Sequence, residues 1–167
     1  NYFNYKQINK FNEKINKLIP YFFLLLIFLQ ITIGAFVSGM DAGKIYNTWP
    51  LMGSNYFPDD SSYLNLINIY VFNDPSLVQF IHRNLAYLIL LYYIVIIIKV
   101  FKKNLSDFFG ITKVIGLLLL VQIILGIFTL LSGAEVFVSS MHQISSIFLV
   151  SSVIYFLYLN SNTNQQL

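Results

Sequence analysis

VQFIHRNLAYLILLYYIVIIIKV, residues Val78 to Val100, is the stretch that decides the fold. From Leu85 to Ile98 it carries no charge. A helix needs about 20 such residues to cross the hydrocarbon core of a bilayer. Backbone groups in lipid must find partners within their own segment, and the run does not alternate polar and apolar as a barrel strand would. It reads as a transmembrane helix. Three more segments share its character: Leu18–Gly39, Ile111–Leu131 and Phe137–Leu159. The chain is therefore predicted to be an all-α polytopic membrane protein, with four transmembrane helices bundled over residues 18–159. Flanking these are an N-terminal segment 1–17, a long loop 40–77 and a tail 160–167.

Composition supports lipid as the solvent. The chain is 57% hydrophobic and 10% charged, against about 25% charged in soluble domains. Cysteine is absent, which excludes disulfides, thiolate metal sites, covalent Cys-x-x-Cys-His haem attachment and a cysteine nucleophile. The net charge of +3 does not point to nucleic acid, because the basic residues gather at the ends of apolar runs. The opening at Asn1, with no initiator Met, is expected of a fragment or a processed chain.

Those basic residues set a topology. Lys6, Lys10, Lys14 and Lys17 precede the first span, and Lys99, Lys102, Lys103 and Lys113 surround the connection between the second and third. The other side holds Lys44 and Arg83 against Asp41, Asp59, Asp60, Asp74 and Glu135. The positive-inside rule places both termini on the cytoplasmic or matrix side and the 40–77 loop outside.

His82 and His142 are the only histidines. An ionisable or metal-capable side chain in a span is costly and by default functional. Each lies about four residues into its own outside-to-inside span, some 6 Å deep at helical rise. Small residues follow one turn on, Ala86 and Ser146, leaving room for a flat ligand on the same face. Two opposed axial ligands of one haem fit this pattern. The bland alternative is a pair of interfacial histidines snorkelling to the headgroups. Zinc would want further ligands. Arg83 could hold a haem propionate, or pair with Asp74 or a lipid headgroup.

The chain also repeats itself. Gln30-Ile-Thr-Ile-Gly34-Ala-Phe36 matches Gln122-Ile-Ile-Leu-Gly126-Ile-Phe128, and each copy is followed by a loop and a histidine-bearing span. In each, Gln and Gly share one helix face, where glycine permits close approach of a helix or a flat ligand. Ordinary helix packing would also explain the glycines; the buried amides want partners. In the long loop, Tyr46 and Trp49 are either interfacial anchors or parts of a lid. Tyr63–Phe72 is apolar enough to lie at the membrane surface.

Three stretches resemble the haem A synthase family: QITIGAFVSGMDAGKIYNTWPLMG (Gln30–Gly53), VQFIHRNLA (Val78–Ala86), and Gln122–Gln143 with its closing His-Gln. The resemblance extends from about Pro20 to Tyr158, and the loop motif is its most specific part. It implies the C-terminal half of an eight-helix pseudo-symmetric fold, holding a haem b on His82 and His142. The activity it implies is oxidation of the position-8 methyl of haem O to the formyl of haem A for cytochrome oxidase assembly. In that family the substrate haem and a required outer glutamate are associated with the other half. No Glu-x-x-x-His pattern precedes His82, so no catalytic residue is assigned. The implied partners are haem O, a missing N-terminal half or a second copy, haem O synthase and an electron donor, in a bacterial inner or mitochondrial inner membrane. Competing readings are a small electron-transfer cytochrome b, a haem-free oxidase assembly factor and, more remotely, a transporter half.

Overall fold

A computed structural model describes residues 15–162. Its elements are α1 (Leu18–Gly39), α2 (Pro75–Lys102), α3 (Ser106–Leu131) and α4 (Val136–Asn162), with short 3-10 turns at Ala42–Lys44, Tyr63–Ile67 and Ile69–Asn73 between α1 and α2. All four long helices are apolar enough to cross a membrane. The protein is an all-helical, integral membrane protein.

The connections after α2 and α3 are too short to do anything but reverse the chain, so neighbours run antiparallel. Each long helix packs against two others, in the ring α1–α2–α3–α4 and back to α1. Both reversals satisfy the carbonyls that a helix end leaves open. After α3, Gly133 sits at φ 70 while Gly133 N donates to Leu130 O and Ala134 N to Thr129 O. After α2, Asn104 at φ 52 takes the same place, with bonds to Phe101 O and from Leu105 N to Val100 O. This is the left-handed helix stop in which Gly or Asn serves best.

α1 has the bounds read from sequence, whereas α2, α3 and α4 outrun their apolar spans. α2 begins at Pro75 because Asp74 Oδ1 accepts from Ser76 N and Leu77 N, an N-cap followed by proline at the first helical position. Hydropathy registers only the stretch in lipid, whereas the capped helix continues into polar surroundings.

The bundle interior has two unlike ends. The packed apolar core lies at the end bearing Lys17, Lys99 and Lys113. Phe23, Ile96, Phe108 and Phe156 meet there, and a reciprocal buried pair joins Ile15 N and O to Asn160 Oδ1 and Nδ2, each at 3.1 Å. The Tyr93 hydroxyl donates to Thr112 O at 2.8 Å, and a Cβ at Gly116 would overlap that hydroxyl. Outward-facing Leu25, Leu91, Leu117 and Phe148 stay exposed, the inverse of a soluble bundle and the surface that lipid tails cover. Toward the opposite end the interior turns polar, and both histidines lie there.

Candidate functional site

α1 faces α2, and α3 faces α4, through one repeated arrangement. In the first pair, Gln30 Nε2 reaches His82 O at 3.1 Å and lies 3.2 Å from His82 Nε2. In the second, Gln122 Nε2 donates to His142 O at 3.2 Å and also to Ser145 Oγ. One helical turn beyond each glutamine is the glycine of the repeat. A Cβ at Gly34 would come 3.1 Å from His82 Cε1, and one at Gly126 would come 3.2 Å from His142 Cε1. Each histidine thus lays the edge of its ring in a notch that only glycine leaves open. The sequence repeat is a repeat of site geometry: glutamine ties the two backbones at the level of the histidine, and glycine admits the imidazole.

His82 and His142 are both half-buried. Their depth from the helix starts is greater than the four residues read from hydropathy, because α2 starts at Pro75 and α4 at Val136. The depths still match to within one residue. Ala86 follows His82 by one turn, and Ser146, bonded to Gln143 O, follows His142.

Arg83 reaches away from the histidines into the long loop. Its Nη1 donates to Thr48 O and Leu51 O at 2.9 and 3.2 Å, and its Nη2 donates to Tyr46 O at 2.9 Å. Asp74, the acidic partner considered from sequence, instead accepts from Ser61 Oγ and caps α2. Asn47 Nδ2 donates to Leu130 O at the end of α3, Trp49 Nε1 donates to the Tyr87 hydroxyl, and the Tyr56 hydroxyl meets Asn84 Oδ1. Residues 46–56 are thereby stapled to both helix pairs, above the histidine end. Tyr46 is a second anchor: its hydroxyl donates to Asp60 Oδ1 and accepts from Asp59 N, both at 3.1 Å. Partial burial first, and then the bond to Asp60 and its charge, hold this phenol above its ordinary pKa.

Among the described residues, the buried side-chain polar atoms without a partner are Gln30 Oε1, Gln79 Oε1, His82 Nδ1, Arg83 Nε, Thr129 Oγ1, Ser139 Oγ and His142 Nδ1. All seven belong to the histidine end, and all four helices contribute. Each such atom costs about 1–3 kcal/mol if nothing meets it, so their concentration marks a place built to receive something polar. Among the described residues no three His, Asp or Glu side chains gather, so a metal held here would be held by the imidazole pair. A haem suits that donor set. Sequence reading singled out His82, His142, Arg83, Gln30 and Gln122, and missed Gln79, Asn47, Thr129 and Ser139. The only earlier signal for Gln79 was its place one turn ahead of His82.

A family model described as cytochrome oxidase assembly protein matches residues 5–154. The chain belongs to this family. Within the cytochrome oxidase assembly family, it is similar to proteins named Heme A synthase. The Pelagibacter ubique relative is 47% identical over 156 residues, covering 93% of this chain and 46% of the relative. The Wolbachia pipientis relative is 40% identical over 141 residues, covering 84% of the chain and 39% of the relative. The Rickettsia felis relative is 38% identical over 134 residues, with 79% and 39% covered. The chain spans less than half the length of these curated relatives. No solved structure matches it.

Proposed function

We propose that this chain is the C-terminal, haem-b-holding half of a haem A synthase, with His82 and His142 as the axial ligands. The observation that carries the reading is the twin Gln–Gly–His arrangement, set at one depth in two antiparallel pairs. A snorkelling histidine needs neither a glycine notch nor an amide tie at its own level. His82 and His142 are the residues that would hold an iron porphyrin here, and such a group would supply electron transfer. The chain's own part is to fix and insulate. Gln30 and Gln122 hold the helix pairs in register, and Gly34 and Gly126 set how closely each imidazole approaches its partner helix. Arg83 holds the 46–51 loop as a cover, and its unpartnered Nε is the donor left for a propionate.

In this reading the substrate is haem O, oxidised at its position-8 methyl to haem A. The catalytic groups lie in the N-terminal half or in a second copy, with haem O synthase and an electron donor as further partners. The bacterial relatives favour a bacterial inner membrane. The lysine distribution puts both termini on its cytoplasmic side.

The test is to express the chain with and without the N-terminal half of the Pelagibacter ubique relative, in cells that make haem O and lack haem A. Extracted haems are identified by the spectra of their pyridine adducts. Haem A is expected only when both halves are present. Haem O left unconverted by the two halves together, with both in the membrane, would count against the reading.

A further inference from the structure

Thr129 and Ser139 stand out among the helical hydroxyls. Thr32, Thr112, Ser145, Ser146 and Ser152 all bond back to a carbonyl three or four residues earlier in their own helix, the ordinary solution in an apolar segment. Thr129 Oγ1 and Ser139 Oγ do not, although both atoms are buried. Their positions are related. Thr129 lies three residues past Gly126 on α3, and Ser139 lies three residues before His142 on α4. Residues three apart share a helix face, and Gly126 and His142 touch. The two hydroxyls therefore belong to the layer next to the imidazoles, on the side of the loop. In the other helix pair the corresponding layer holds Gln79, three residues before His82, with the acceptor Oε1 unpartnered; Arg83, next to His82 on the same helix, has its donor Nε unpartnered. Three unpartnered polar side-chain atoms, the donors Thr129 Oγ1 and Ser139 Oγ and the acceptor Gln79 Oε1, thus form a second tier one turn above the rings.

We infer that Thr129 and Ser139 are ligand-binding residues that donate hydrogen bonds to the carboxylate edge of a tetrapyrrole seated between His82 and His142, with Arg83 Nε on the opposite helix pair completing the carboxylate site. This rests on the haem reading above. The chemistry is complementary: a carboxylate accepts only, two hydroxyls and a guanidinium N–H donate, and charge-assisted bonds of this kind are the strong ones. It also orients the ligand, with its charged edge toward the loop and its apolar edge toward the packed core at Phe23 and Phe156.

The test compares iron protoporphyrin IX with its dimethyl ester, which keeps the iron and the ring but loses both negative charges. Each is titrated into the purified chain in detergent and followed by its absorption spectrum, for the parent, Thr129→Val, Ser139→Ala and the double variant. The parent is expected to prefer the free acid, and each substitution to reduce that preference by about tenfold. Thr129→Ser is expected to retain it. Thermal unfolding without porphyrin separates this from damage to the fold, since removing a buried hydroxyl that has no partner should leave Tm unchanged or higher. Equal preference for the free acid in the parent and the double variant would overturn the carboxylate site and leave the histidine site standing. Failure of the parent to bind either porphyrin would overturn both.

Discussion

At Gly34 and Gly126 the chain omits a side chain because an imidazole edge occupies the space. Gly34→Ala and Gly126→Ala would each set a Cβ 3.1–3.2 Å from a histidine Cε1, and overpacking of this kind costs about 1–3 kcal/mol. The cost should fall on the site, because the ring can turn out of its notch while the helices stay paired. Haem titration is expected to show affinity lowered by about tenfold or more, with the thermal unfolding temperature nearly unchanged. Loss of folding with normal haem affinity in the material that survives would mean that these glycines serve helix packing alone. Gln, Gly and His were legible because two copies of one short pattern sit at equivalent points of two helix pairs. Thr129 and Ser139 were not legible. A hydroxyl in an apolar helix ordinarily bonds to its own backbone, and only the three-dimensional structure shows that these two do not.

Among the elements, the 40–77 loop departs furthest from what sequence shows. Its length and its Tyr46, Trp49 and Pro50 marked it as more than a connection, yet its anchoring depends on side chains that reach backbone carbonyls across the fold. No local pattern encodes such bonds. Arg83 supplies three of them and Asn47 one to α3. Arg83→Leu is expected to expose residues 46–51, seen as faster hydrogen exchange and proteolysis there, with α2 unaffected. Equal protection in parent and variant would show that Asn47 and Tyr46 suffice. Tyr46 gives the loop a pH limit. Its folded-state pKa is raised above 10.0, so its neutral form is favoured in the folded protein. That contribution is fully present below about pH 10, the value for an unperturbed tyrosine, and is lost as the pH climbs through the higher folded-state value. Absorbance titration at alkaline pH, parent against Tyr46→Phe, should assign a late-ionising phenol to this position. Exchange in the loop should rise with its ionisation in the parent.

Over the whole molecule, the division of the interior explains both the stability and the site. Aromatic and aliphatic side chains pack the lysine-bearing half, while glutamine, histidine and hydroxyl groups from all four helices fill the other. Four spans and their antiparallel order were visible in hydropathy, because lipid tolerates few other backbone arrangements. Helix ends were less visible, since caps such as Asp74 extend helices past the apolar run. The two helix pairs repeat one another, and the chain covers less than half of its named relatives. The proposed function gives it one haem site, with the catalytic groups supplied from elsewhere. The most direct measurement is the reduced-minus-oxidised absorption spectrum of the chain purified in detergent after expression with ample haem, beside His82→Ala and His142→Ala. The account expects a low-spin b-type spectrum in the parent that is lost in both variants. A parent without haem, or a low-spin spectrum that survives in either variant, would contradict it.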